Sequence, residues 1–459
     1  MEQDVMHPTL HNLPLLEPEF VPFEAWIRAY LSGAHQPFAV ALERPNGSVS
    51  VYRTHIYATK ERYADDLRYV ERLVKFLYWS RGAQRILLYG SDLLADAVRR
   101  TYAADGPRSF DSDFLCAVYG QPLEILSYPY EACPAEQEST ASVGRHLNGC
   151  RIGFDAGGSD RKVAAVIDGQ EVFSEEVVWL PKVNADPRYH YDGIVSAFRA
   201  AAAHLPRVDA IGVSTAGIVV DNQLRTSSLF ARVPKEQRLE TWDIYQRAAA
   251  EIGNVPLVVS NDGDVSALAG AMSLETGCVL GIAMGTSEAG GYIDARGNIT
   301  GWLNELAFAP VDLNPSAVHD PWSGDVGVGC SYFSQDAVIR LAPRADIPLD
   351  ASLTPAEKLK SVQLLMESMD PRAALVFDSI GCYLGHTIPL YCRFYALSHV
   401  LLLGRVMSGR GGDRILAEAR RVLREEYPEV AVTLLLPDEK MRRLGQSVAA
   451  ASLPEIPDK

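Results

Sequence analysis

Four short segments rich in glycine or aspartate, each at the end of an apolar strand-like run, constrain residues 151–412 most. They are Gly153-Phe154-Asp155-Ala156-Gly157-Gly158-Ser159, Ser260-Asn261-Asp262-Gly263-Asp264, Gly285-Thr286-Ser287-Glu288-Ala289-Gly290-Gly291, and Gly404 through Gly412. Between them, runs such as VDAIGVSTAG, PLVVSND and HVLLLG read as strands. Runs such as YDGIVSAFRAAAAHL and VSALAGAMSL read as helices. Strands alternating with helices imply sheets covered by helices, an α/β fold. Ligands of such folds collect at the carboxyl ends of the strands.

Each segment has a chemical and a plain reading. The first and third lie between paired strands, where glycines let the chain turn tightly and aim amides at phosphate; the plain reading is a turn. Asp155, at a strand end, could face a magnesium ion. Asp262 could take a proton from an attacking hydroxyl. The plain alternative is a helix N-cap, which Asn and Asp favour, with Asp264 better placed for it than Asp262. The fourth segment joins a strand to a helix whose free amides attract nucleotides; the alternative is a flexible loop.

The order of the four resembles the actin, sugar-kinase and Hsp70 superfamily, and more closely the ROK family of sugar kinases and related repressors. Asp155-Ala156-Gly157-Gly158-Ser159 is similar to the family's D-x-G-G-T-K, with Lys162 two places late. Ser214 to Asp221 resembles S-P-G-P-V-D, Asn261-Asp262-Gly263-Asp264 resembles N-D-A-N, and Gly285-Thr286 opens a loop like G-T-G-x-G-G-G. Glu305 to Phe308 and Gly329 to Ser334 fall where the family has E-x-G-H and G-C-L-E-x-x-S. The resemblance covers about 151–459. It implies an actin-like ATPase (RNase H-like) fold with two lobes beside a cleft. It further implies ATP held at Asp155, Gly157, Ser159, Gly285, Thr286 and Gly404, and a sugar-like acceptor at Gly157, Gly158, Asn261 and Glu305. Asp262 would be the general base and Mg²⁺, near Asp155, the cofactor. The alternative it leaves open is a catalytically silent sugar- or nucleotide-binding sensor or interaction protein of the ROK type. Phe308 replaces the family's zinc-binding histidine, and only Cys330 remains of its cysteine run. One thiolate does not hold a four-coordinate zinc, so no zinc is expected. Tyr332 and Glu288 also depart from the family pattern.

Residues 1–150 match no family in this way. Their pattern of strands, helix, strand and helix echoes 151–220, and leads to the expectation of a degenerate RNase H-like half. Its first hairpin, around Arg44-Pro45-Asn46-Gly47, lacks the phosphate-binding pattern. The expected division is 1–148, 149–265 and 266–437, with a final helix at 438–459 packing back on the lobe begun at 149.

At 459 residues, two or more lobes are the prior. A net charge of −15 disfavours nucleic acid as a partner. The seven cysteines form no C-x-x-C pair, which fits reduced thiols in a cytoplasmic setting. No apolar run reaches about 18 residues without charge, so no membrane span is expected. The state expected is monomer or homodimer.

Overall fold

The computed structural model describes residues 10–139, 141–438 and 445–457. They form two compact units, one of residues 1–139, 282–290 and 302–436, the other of 140–281, 291–301 and 437–459. The first 139 residues therefore share a unit with 302–436, unlike the division expected above. The reason is a common core. Phe76 stacks on Phe394 with centroids 4.3 Å apart, Phe20 meets Tyr383 edge-on at 4.9 Å, and buried Glu24 pairs with Arg393 at 2.6 Å.

In the first unit, α1 (Phe23–Leu31) precedes the hairpin of β1 (Gln36–Glu43) and β2 (Val49–Ile56). Gly47 turns it with φ +81°, and the Asn46 side chain accepts from Ser48 N at 3.0 Å. Then come α2 (Tyr63–Arg81), β3 (Arg85–Tyr89), α3 (Asp92–Thr101), α4 (Ser109–Tyr119) and β4 (Glu124–Tyr128). The sheet order is β2-β1-β3-β4, and β3 runs antiparallel to β1. The expectation of a degenerate RNase H-like half is overturned by that direction. A meander of three strands ends pointing the way it began, so a helical crossover returns a strand parallel to the first. Here the meander has two strands, and the same crossover returns β3 antiparallel to β1.

The second unit has the three-strand meander. β5 (Cys150–Ala156), β6 (Asp160–Ile167) and β7 (Gln170–Val178) lead through α5 (Pro187–Ala202) to β8 (Ala210–Thr215). A ribbon of β9 (Ile218–Val220) and β10 (Gln223–Thr226), then α6 (Leu239–Trp242) and α7 (Ile244–Ala250), precede β11 (Leu257–Asn261) and α8 (Asp262–Leu274). The sheet order is β11-β8-β5-β6-β7, with β5, β8 and β11 parallel. Ile152, Phe154 and Ala156 alternate into a core with Phe198, Val213 and Tyr245.

The chain also forms a sheet of β12 (Val279–Met284), β13 (Glu288–Ile293), β14 (His399–Leu403) and β15 (Thr433–Leu435), in the order β13-β12-β14-β15. Helices α9 (Gln335–Arg344), α10 (Pro355–Glu367), α11 (Pro371–Phe394) and α12 (Gly409–Glu426) belong to the first unit. α11 is long and apolar enough to cross a membrane, but 83% of its apolar window is buried inside the protein. It packs closely on α12, because Gly381 and Gly385 sit against the Ile415 and Ala419 carbonyls.

The last helix, α13 (Gln446–Ala451), lies on β5 and β8 of the second unit. Part of the helix expected at 438–459 falls at 439–444, outside the described residues. Gly153 and Gly212 are register partners. A β-carbon on either would lie 1.7 Å from a carbonyl oxygen of α13, Ser447 or Ala450. Glycine is required at both because helix backbone rests on strand backbone.

Candidate functional site

The second unit brings Asp155, Ser214, Asn261 and Asp262 to one end of its sheet. Parallel register sets Asp155 beside Ser214 and Ser214 beside Ser260, with Thr215 beside Asn261 one residue on. The Ser214 hydroxyl donates to Asp155 Oδ1 at 2.8 Å. The Gln446 side-chain amide donates to Ser214 Oγ at 3.1 Å and to the Asp262 carbonyl at 2.9 Å. The N-terminus of α13 thus braces this end of the sheet, a contact with no local signal in the sequence. Burial, helped by the nearby Asp262, raises the Asp155 carboxyl to about 6 against the Ser214 hydrogen bond.

Asn261 is the N-cap of α8: its Oδ1 accepts from Gly263 N at 2.7 Å, and its Nδ2 donates to the Gly217 carbonyl at 2.8 Å. Neither aspartate is the cap. Asp264 is buried, with Oδ1 accepting from Tyr292 N at 3.1 Å. Among the described residues, capping by Asn261 leaves the Asp262 carboxylate with only Gly263 N, at 3.0 Å, as its hydrogen-bond donor outside its own residue. Burial raises its pKa, while the backbone amides and the Lys182 charge oppose the rise. Both amide groups of Asn261 are occupied within the protein, which weighs against the acceptor contact expected of it.

The hairpin between β5 and β6 does not turn through left-handed glycines. Neither Gly157 nor Gly158 has a positive φ, and what they provide is space. A β-carbon on Gly157 would lie 2.7 Å from the Asp160 carbonyl, and on Gly158 2.7 Å from Lys182 Cε. Ser159 is exposed and donates to Asp160 Oδ2 at 2.9 Å. Lys162 is drawn to Asp160 and Glu176, at 4.0 and 3.7 Å. Among the described residues no group of three or more His, Cys, Asp or Glu is placed to hold a metal. Magnesium is commonly held by one or two carboxylates plus substrate phosphates. Asp155, at the end of its strand, fits that mode.

The first unit gathers Gly285, Thr286, Gly404 and Arg405. A β-carbon on Gly404, at φ +92°, would lie 2.4 Å from the Met284 carbonyl, so this glycine lets the 404–412 segment lie against the end of β12. Arg405 donates to Thr286 Oγ1 at 2.9 Å, tying that segment to the hairpin. Thr286 and Arg405 are both exposed. Glu305 is partly buried, and its amide donates to the Trp79 carbonyl at 3.1 Å.

Glu288 points into the protein. It is 4% exposed, Tyr391 donates to its Oε1 at 3.2 Å, and its Oε2 has no hydrogen-bond partner among the described residues. Burial, helped by the nearby Glu305 charge, raises its carboxyl from 4.5 to about 8. The folded protein therefore holds a proton there that the unfolded chain releases. Stability from this group is full below pH 4.5 and falls as pH rises to about 8. At about 1.4 kcal/mol per pH unit, the fall is of the order of 5 kcal/mol. Glu288→Gln is expected to flatten this slope and raise the urea midpoint at pH 8. A variant with the wild-type slope between pH 5 and 8 would show that Glu288 stays ionised.

The residues at the family's zinc position do not fit zinc. Phe308 lies 4.5 Å from Trp79 and 5.7 Å from Phe110, centroid to centroid, in an aromatic cluster. Burial pushes the Cys330 thiol far up, and its sulfur lies 3.7 Å from Asp320 Oδ1. Tyr332 is buried and donates to Asp312 Oδ2 at 2.7 Å, so it belongs to the core.

No protein-family model matches the sequence, and no curated protein matches it. Solved structures do. The ROK hexokinase of Thermus thermophilus is 20% identical with a TM-score of 0.51, over 66% of this chain and 97% of that one. A ROK family transcriptional regulator, a homologue of the E. coli MLC protein, is 17% identical with a TM-score of 0.53, over 70% of this chain and 80% of that one.

Proposed function

We propose, from the premise that this chain has the fold of the ROK sugar kinases and regulators, that it is an ATP-dependent kinase of a hydroxyl on a sugar or sugar-like molecule. The observation that carries the reading is Asp262. Its carboxylate stands at the carboxyl end of parallel strands, is excused from capping by Asn261, and has a pKa raised by burial. A base poised in this way accepts a hydroxyl proton as the oxygen attacks phosphorus. Glycines 157 and 158 let the Asp160 carbonyl and the Lys182 side chain close in on the hairpin. In the first unit, Gly285, Thr286, Gly404 and Arg405 supply the nucleotide contacts. Glu288, buried and largely protonated at neutral pH, does not repel the nucleotide. Magnesium, held by Asp155 with the phosphates, would offset the charge of the transferring group.

A sensor without chemistry is the second reading. Phe308, locked among aromatic rings, removes a polar acceptor contact at a cost of about 1–3 kcal/mol if a hydroxyl faces it. One of the two structures above is a regulator. A panel of sugars, cyclitols and amino sugars with γ-labelled ATP separates the two. Label transfer to any acceptor supports the kinase. Saturable sugar binding without transfer supports the sensor.

A further inference from the structure

We infer that the Lys182 ammonium group binds the phosphoryl group in transit, which makes Lys182 a catalytic residue of the proposed kinase. The inference rests on the kinase reading and adds a group that the sequence did not single out. Lys182 follows the third strand of the meander, in a short 3₁₀ turn at Pro181–Val183. That turn is fixed from two sides. Trp179, 1% exposed, donates its amide to the Ser159 carbonyl at 3.0 Å. Asn184 N closes the turn on the Pro181 carbonyl at 3.2 Å. The side chain then runs over Gly158, with Nζ 2.9 Å from where a β-carbon on that glycine would sit.

Three carboxylates stand around this hairpin: Asp155, Asp160 and Asp262. A polyphosphate arriving there meets like charge and needs cations in place. Lys162 is turned toward Asp160 and Glu176. Arg161 is turned away, with Nη1 2.6 Å from where a β-carbon on Gly193 would sit. Lys182 is exposed and has no ion-pair or hydrogen-bond partner among the described residues, yet its charge reaches Asp262. An unpaired cation over the glycine hairpin, within electrostatic reach of the base, is placed for the charge that builds on phosphorus. In the step itself the acceptor hydroxyl gives its proton to Asp262, and its oxygen forms the new bond to the γ-phosphorus. The bond from that phosphorus to the bridging oxygen breaks, and ADP leaves with the electron pair. Lys182 gives up no proton.

The test compares wild type, Lys182→Met and Lys182→Arg in acceptor kinetics and in calorimetric titration with inorganic tripolyphosphate. Lys182→Met is expected to lower kcat about 10²- to 10³-fold, the usual cost of one lost charge-stabilising donor. Acceptor KM should stay within about threefold, tripolyphosphate affinity should fall about tenfold, and arginine should restore most of both losses. A kcat within about threefold of wild type would overturn the inference. So would a raised acceptor KM with kcat intact, since Lys182 would then hold the acceptor. If wild type transfers phosphate to nothing in the panel, the kinase reading falls separately. The titration still decides Lys182 in that case, because undiminished tripolyphosphate binding by Lys182→Met overturns its role.

Discussion

Replacing Asp262 by asparagine is expected to slow phosphoryl transfer about 10²- to 10⁴-fold, the range for loss of a positioned general base. Fold and nucleotide affinity should hardly change. The amide oxygen of asparagine can keep the bond from Gly263 N, and the N-cap is Asn261. The pH profile supplies a second mark. Burial raises the Asp262 pKa, and the base works only when ionised, so wild-type kcat should fall as pH drops through that raised value. The variant's residual rate should lack this acid limb. Activity within tenfold of wild type would remove Asp262 as the base.

The second large effect concerns a buried charge cluster far along the chain from any glycine motif. Lys75 on α2 is 0% exposed and contacts Asp111 at 2.8 Å and Asp325 at 3.0 Å. Arg72 and Arg108 also reach Asp325, at 3.0 and 2.7 Å. Lys75→Met keeps the volume and leaves Asp111 without its only ion partner among the described residues. Removing one member of a buried pair costs about 3–5 kcal/mol, a large share of the roughly 5–15 kcal/mol that holds a domain together. A matching drop in the urea-derived unfolding free energy is expected, and Lys75→Met with Asp111→Asn should recover part of it. A loss under about 1 kcal/mol would mean that Arg72 and Arg108 already balance both carboxylates.

The second unit was legible in the sequence because its signals are local. Strand periodicity located β5 to β8 and β11, and strand-end polar residues marked Asp155 and Asp262. The first unit was harder to read. The count of strands before α2 decides the direction of β3, and the stretch at 48–57 reads as one strand or two by alternation alone. That ambiguity turned a two-strand hairpin into an expected copy of the three-strand meander. The cap was misread for a related reason: Asn261, Asp262 and Asp264 all have the side chain for it, and only backbone geometry selects Asn261. Lys182 and Gln446 act through contacts with residues distant in sequence, Gly158 and Ser214, so no spacing pattern marks them. The same holds for Asp325, whose cations come from α2 and the start of α4.

The glycine floor beneath α13 bears on how the chain comes off the ribosome. Arg151, at the start of β5, donates to the Ala451 carbonyl 300 residues later. β5 is made early and β8 soon after, but the surface formed by Gly153 and Gly212 stays bare until α13 emerges. Synthesis at about 5–20 residues per second leaves that surface open for about 12–48 seconds. During that time the meander is held mainly by its other face, where Phe154, Phe198 and Tyr245 pack. Asp262 is thus among the last parts of its sheet to be braced, since Gln446 reaches its carbonyl only when α13 docks.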